Sequence, residues 1–306
     1  MSPTGIDAPA TRAGAWWLAA RPRTLPAAAT PVVVGSSVAW TMGAFRLGPA
    51  LAALLGALLI QIGTNFANDL FDFQKGADTA ERQGPLRAVQ AGLLTPVQVW
   101  VGIALSFGAA TACGLYLTRV AGWPVVVIGL ASLLAGLAYT GGPFPLAYNG
   151  LGDLFVLLFF GFVAVCGTVW VQALRLSPLA WLAGGTVGVL ATAILVVNNV
   201  RDVEQDRRAG KRTLPVLLGV SLGRIEYALL LGASYLLPAL AFRLGIAPIG
   251  VLAPVLTLPL AFRLVRVVGR SSDPRRLNRA LASTALLLLL HGLLLSGGLL
   301  AGGVKP

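Results

Sequence analysis

Residues 47–78 read LGPALAALLGALLIQIGTNFANDLFDFQKGAD. From Leu47 to Ala67 there is no charge and little polarity, and about twenty such residues suffice for a helix to cross the hydrocarbon core of a bilayer. Immediately afterwards come Asn68, Asp69 and Asp72, then Lys75 and Asp78. The stretch therefore reads as a membrane span that ends in a cluster of hard oxygen donors.

The rest of the chain supplies the medium that this reading requires. Its 306 residues are 57% hydrophobic and only 11% charged, with a mean hydropathy of +0.82, whereas roughly a quarter of a soluble domain is charged. Nine spans are expected: Leu25 to Ala44, Leu47 to Ala67, Pro96 to Leu117, Ala121 to Thr140, Leu151 to Ala173, Pro178 to Val200, Ile225 to Phe242, Ile246 to Phe262 and Leu281 to Gly302. The fold class is an all-α integral membrane protein, a single bundle of nine transmembrane helices. No linker or composition break divides residues 1–306, which are expected to form one domain with residues 1–20 as a short amino-terminal segment. The first run leads straight into further spans and does not read as a cleavable signal peptide. Pro31, Pro124, Pro238, Pro254 and Pro259 fall inside apolar runs as candidate kinks. Cys113 and Cys166 read as packing residues.

A net charge of +12 raises the possibility of nucleic acid, but its distribution points to topology. Eighteen of the 23 Lys and Arg residues precede the first span or lie in the second, sixth and eighth connections, and five lie on the other side. Cytoplasmic segments carry the excess of Lys and Arg. The expected orientation is a multi-pass protein of the cell membrane with its amino terminus in the cytoplasm and its carboxyl terminus outside. No nucleic-acid partner is expected.

A second cluster echoes the first. The sixth span ends in NNVRDVEQDRRAGKRTLP, residues 198–215, and seven of the chain's eleven acidic residues fall at the ends of these two spans: Asp69, Asp72, Asp78 and Glu81, then Asp202, Glu204 and Asp206. Residues four apart share a helix face, so Asn198, Asp202 and Asp206 form one column and Asn65, Asn68, Asp69 and Asp72 another. Four spans intervene, which brings both columns to the cytoplasmic face. Carboxylate and amide oxygens without His or thiolate suit Mg²⁺, which is commonly shared between a few carboxylates and substrate phosphates. Lys75, Arg82 and Arg87 follow the first column, and Arg201, Arg207, Lys211 and Arg212 surround the second. The pattern fits a diphosphate neutralised as a leaving group. A plain surface mixture of acids and bases would explain one such column, but hardly two at the same membrane face.

NDLFDFQKGAD and RDVEQD resemble the two aspartate-rich motifs of the UbiA superfamily of membrane prenyltransferases. RPRTLPAAATPVVVG, GPLRAVQAGLLTP, YTGGPFPLAYNGLGDLFVLLFFGFVAVCGTVWVQ and NNVRDVEQDRRAGKRTLPVLLG are similar to its menaquinone branch, from about Arg21 to the last span. Many members carry a third aspartate four residues after the second; here that position is Gly76 and the next acid is Asp78, a form similar to that of the branch. The resemblance implies transfer of a polyprenyl group from polyprenyl diphosphate to 1,4-dihydroxy-2-naphthoate, with loss of the ring carboxylate as CO₂. It implies Mg²⁺ held by Asn68, Asp72, Asp202 and Asp206, with Asp69 and Asp78 in support. Lys75, Arg207, Lys211 and Arg212 are the expected contacts to the diphosphate. Both the greasy donor and the reactive cation call for a cleft within the bilayer.

Further candidates are weaker. Tyr139 would face the allylic cation or simply anchor a helix end. Arg21 and Arg23, with Asn65 and Asn198, are candidates for holding the acceptor. His291 reads as packing, and Trp16 and Trp17 as an interfacial anchor. A transporter would place its site near the midplane on broken helices. A CDP-alcohol phosphotransferase would need a DG and an AR at fixed spacing before Asp202, which the chain lacks. Another UbiA-type enzyme acting on 4-hydroxybenzoate or homogentisate is the nearest competing reading.

Overall fold

In the computed structural model, which describes residues 11–76 and 86–303, all regular structure is helical. A short helix, α1 (Arg12–Ala20), opens the described chain and is capped by Thr11, whose Oγ1 accepts the N–H of Gly14 at 3.1 Å. The bundle continues with α2 (Leu25–Thr41), α3 (Leu47–Gln74), α4 (Pro96–Ala121), α5 (Pro124–Ala138), α6 (Gly152–Ala173) and α7 (Pro178–Arg201). Two short helices, α8 (Val203–Arg208) and α9 (Leu214–Leu218), lead into α10 (Val220–Arg243), α11 (Ile249–Arg270) and α12 (Pro274–Ala301).

Seven of these helices, α3, α4, α6, α7, α10, α11 and α12, are long and apolar enough to cross a membrane. The protein is a multi-pass membrane protein. All nine expected spans are helical, but α2 has 17 residues and α5 has 15. At 1.5 Å per residue α5 extends about 22 Å, less than the hydrocarbon thickness. It is cut short because Gly122 (φ 80°) ends α4 just before it, and the YTGGPFP turn follows it. Several helices also outrun their expected bounds. The helix that was expected to stop at Ala67 continues to Gln74 and so carries Asn68, Asp69 and Asp72.

Local signals account for the boundaries. Thr95 and Gln98 form a reciprocal capping box at the start of α4, and the side chains of Ser177 and Asp273 cap α7 and α12, satisfying amides that a helix leaves open. Pro124 sits in the first turn of α5, where its missing N–H costs nothing, and Pro259 opens the α-helical part of α11 in the same way. Neither is the kink expected from sequence. Pro31 and Pro238 do lie inside helices, and Pro254 lies in the 3₁₀ opening of α11.

The centre of the bundle is α7, buried over most of its surface and packed against α2, α6, α10 and α12. Small residues make this possible. A Cβ on Gly161 of α6 would stand 2.6 Å from the carbonyl oxygen of Gly184 and 2.8 Å from Cα of Gly188, so the two backbones meet directly, as membrane helices favour. Around Gly161 the middle of α6, Leu157–Val163, widens into a π-helix. On the other flank α3 packs along α4, and α1 docks onto both through Trp16, whose ring meets Phe66 edge-on at 5.4 Å. Of the two tryptophans of α1, Trp17 is the exposed one, at 68%. His291 is buried with its ring edge-on to Tyr235 at 5.0 Å.

Candidate active site

The long continuation of α3 sets the first half of the site. Asn65, Asn68 and Asp72 lie three and four residues apart on one face, and that face lines a cavity of about 470 Å³. Asp69 falls off the face. Its buried carboxylate does not line the cavity, but accepts the backbone N–H of Ala88 at 3.0 Å and pins the segment that returns from the cytoplasmic connection. Of the four residues expected to form the first column, three reach the cavity.

The second half comes from the break between α7 and α8. Asp202 leaves helical geometry (φ −98°, ψ 11°), yet the i→i+4 bonds persist through it, Asp202 N to Asn198 O at 3.0 Å and Asp206 N to Asp202 O at 2.8 Å. Asn198, Asp202 and Asp206 thus remain on one side and all line the same cavity as Asn68 and Asp72.

Three of the acids that face the cavity, Asp72, Asp202 and Asp206, are met by cations. Asp72 accepts Arg87 Nη2 at 3.1 Å and the Tyr148 hydroxyl at 3.0 Å, and lies 3.6 Å from Lys211 Nζ. Lys211 also stands 3.8 Å from Asp206, so one ammonium bridges the two acidic motifs. Arg201 grips Asp202 with two donors, Nε at 2.7 Å and Nη2, and reaches Asn198 at 2.7 Å and Asn278 of α12 at 2.6 Å. The ring of Tyr148 lies under both Lys75 and Lys211, at 4.7 and 4.8 Å to its centroid. Lys75 donates to the carbonyl of Thr140 at 2.6 Å, and the Thr140 hydroxyl donates to Asn68 at 2.8 Å. Desolvation holds Lys75 below the usual lysine range; the charge of Asp72 opposes that shift and Lys211 adds to it.

Among the described residues no three His, Cys, Asp or Glu side chains converge as a closed metal cage. What converges is an open set of hard oxygens, Asn68 and Asp72 from one side and Asn198, Asp202 and Asp206 from the other. Mg²⁺ is usually held by one or two carboxylates with substrate phosphates completing its shell. Lys211, seated between Asp72 and Asp206, shows that a cation is electrostatically at home there.

Other expected residues part company. Tyr139, Arg21, Asn65 and Lys211 line the cavity. Arg21 does so from the left-handed region, φ 51°, an uncommon setting for a bulky residue. Asn65 uses its amide to hold the Ala20 carbonyl at 2.9 Å and the Thr24 hydroxyl at 3.0 Å, fastening the turn that carries Arg21. Arg207 is exposed and paired with Glu204 at 2.7 Å, away from the cavity. The exposed Arg212 contributes its backbone N–H, bonded to the Tyr148 carbonyl at 2.9 Å, rather than its guanidinium. Arg23 is exposed and does not line the cavity. Asp78 lies outside the described residues. Tyr148, Thr140 and Asp153 were not singled out from sequence. Only Asp153, an acid at the edge of an apolar run, carried a signal that could have flagged it.

Away from the acids the same cavity becomes apolar, lined by Ala53, Gly56, Gly114, Ile128, Phe159 and Val171 among others. Along α3 the lining runs from Asp72 back to Ala53, about 28 Å of helix. The model of the UbiA prenyltransferase family matches residues 28–299. The chain belongs to that family.

Similar UbiA-family proteins include 1,4-dihydroxy-2-naphthoate octaprenyltransferase of Haemophilus influenzae, 37% identical over 94% of this chain and 96% of that protein. The Escherichia coli protein of the same name is 37% identical over 93% and 94%. Among solved structures, a UbiA homolog from Archaeoglobus fulgidus bound to DMAPP and Mg²⁺ superposes with a TM-score of 0.66 at 18% identity, covering 92% of this chain and 99% of that one. The apo UbiA homolog from Aeropyrum pernix gives 0.69 at 16% identity, covering 90% and 97%. At such identities these two structures establish the fold.

Proposed function

We propose that this UbiA-family prenyltransferase transfers a polyprenyl group from polyprenyl diphosphate to 1,4-dihydroxy-2-naphthoate with decarboxylation, giving demethylmenaquinol and diphosphate for menaquinone biosynthesis. The observation that carries the chemistry is one cavity with two characters. Asn68, Asp72, Asn198, Asp202, Asp206 and Lys211 line one end, and apolar residues line the other. The acceptor is carried by the similarity to the naphthoate octaprenyltransferases of H. influenzae and E. coli over nearly the whole chain.

Asn68, Asp72, Asp202 and Asp206 would hold Mg²⁺, which supplies the positive charge that makes diphosphate a good leaving group. Lys211, Arg87 and Lys75 add fixed positive charge at the same end of the site. As the carbon–oxygen bond to diphosphate breaks, the apolar lining excludes water from the allylic cation, and Tyr139 offers an aromatic face to it. Arg21, which lines the cavity beside Asn65, is suited to the carboxylate of the acceptor. We read the chain as one domain that crosses the membrane nine times, with the shorter α2 and α5 as the additional crossings. The Lys/Arg asymmetry supports an amino terminus and active site on the cytoplasmic side.

Purified protein in nanodiscs with Mg²⁺ and a long-chain prenyl diphosphate tests this. Prenylated naphthoquinol and CO₂ are expected from 1,4-dihydroxy-2-naphthoate. Prenylation of 4-hydroxybenzoate alone would refute the acceptor while keeping the family chemistry.

A further inference from the structure

Four carboxylates line the cavity among the described residues, Asp72, Asp153, Asp202 and Asp206. Three are held by cations, Asp72 by Arg87 and Lys211, Asp202 by Arg201, and Asp206 by Lys211. Asp153, in the first turn of α6, is different. It is 9% exposed, makes no ion pair among the described residues, and leaves Oδ1 without a hydrogen-bond partner. A buried oxygen of this kind is costly unless a donor meets it, and the open side of Asp153 is the cavity.

Its surroundings suit an aromatic ligand. Gly152 clears the space beside it: a Cβ there would stand 3.3 Å from the Tyr139 hydroxyl and 3.3 Å from Leu195 Cδ2. Tyr139 and Phe155 also line this part of the cavity. Glu226 on α10 is the other acid whose charge interacts with Asp153. Among the described residues no lysine or arginine pairs with Asp153 to neutralise it, so a hydroxyl of the ligand is the donor that completes its hydrogen bonding.

We propose that Asp153 is the proton acceptor for the ring hydroxyl of the aromatic substrate, an inference that rests on the prenyl-transfer reading above. The hydroxyl adjacent to the carboxylate-bearing carbon gives its proton to Asp153. Its electrons form a ring ketone as that carbon bonds to C1 of the prenyl group, and diphosphate departs with the electron pair of the broken C–O bond. The product of this step is a β-keto carboxylate. Loss of CO₂ returns its electrons to the ring as a naphtholate, which recovers the proton from Asp153. The carboxyl group ends each turnover in its starting state.

Asp153→Asn preserves shape and removes the base. Product formation, binding of the prenyl diphosphate and thermal unfolding are to be measured for wild type and variant, with 1,4-dihydroxy-2-naphthoate and ring-fluorinated analogues of more acidic hydroxyl. General-base loss predicts a fall in kcat of about 10²–10⁴-fold. Affinity for the diphosphate should stay unchanged, and the deficit should shrink steadily as the acceptor hydroxyl becomes more acidic. An unchanged kcat overturns the proposal. So does a deficit equal for every acceptor, or one matched by loss of diphosphate binding, because either marks a structural role. If the wild type prenylates a different phenol, the naphthoate reading fails, and the same comparison on that phenol decides Asp153.

Discussion

Arg87 places its Nη2 3.1 Å from Oδ2 of Asp72, and both side chains are more than nine-tenths buried. The arginine lies beyond the end of α3 and is brought back over the acid by the next segment of chain, which Asp69 fastens through the N–H of Ala88. The two aspartates of NDLFD therefore do different work. Asp72 faces the cavity, and Asp69 holds the arm that carries its counter-ion.

Arg87→Ala should lower both stability and turnover. Removing one member of a buried pair costs roughly 3–5 kcal/mol when nothing replaces it; Lys211, 3.6 Å from Asp72, should keep the loss toward the lower end of that range. Arg87→Lys restores charge without the planar fork and should recover part of the melting temperature and part of kcat/KM for the prenyl diphosphate.

For Asp69, Asn and Ala should separate. The amide of Asp69→Asn still offers an oxygen to Ala88, so most activity should survive. Asp69→Ala strands a buried N–H, at a cost of about 1–3 kcal/mol, and should weaken diphosphate binding by displacing Arg87. A loss as large in Asn as in Ala would show a direct chemical role for the carboxylate.

Tyr148 joins a hydroxyl on Asp72, 3.0 Å away, to a ring beneath two ammonium groups. Tyr148→Phe removes the hydrogen bond alone and should cost about 1 kcal/mol in transition-state stabilisation, close to fivefold in kcat/KM. Tyr148→Ala also removes the cation–π platform, so its kcat/KM should fall further.

Chelation should stop product formation, and Mg²⁺ should restore it. Asp72→Asn and Asp202→Asn should each raise the Mg²⁺ concentration needed for half-maximal rate and lower kcat by about 10²–10³-fold, the scale of losing one preorganised electrostatic contact. Excess Mg²⁺ should recover little of that kcat. A chelated enzyme that retained its rate would overturn the metal assignment.

Gly161→Ala should lower the melting temperature in detergent, since its Cβ would press 2.6 Å from the Gly184 carbonyl. Overpacking of this kind costs about 1–3 kcal/mol. Gly232→Ala on α10, where the added carbon meets nothing within 4 Å, should be neutral or stabilising because alanine favours the helix.

Much of this protein is legible along the chain. Hydropathy marks the spans because bilayer thickness and helix rise impose a length on each of them, and the Lys/Arg asymmetry supports an orientation. The i, i+4 spacing of Asn198, Asp202 and Asp206 put them on one side because helical periodicity is a local rule, and it persists even through the break at Asp202. Spacing could not decide that Asp69 turns from the cavity while Asn68 and Asp72 enter it, because a residue's outlook depends on what packs against its helix. Nor could it decide that Arg207 faces outward and Arg87 inward, since charge alone does not set direction. The meeting of Lys211 with both Asp72 and Asp206, and the solitary carboxylate of Asp153, arise only when α3, α6, α7 and the segment after α8 close around one cavity. Contacts between residues far apart in the chain come from the packing of whole helices, a three-dimensional outcome that no local periodicity encodes.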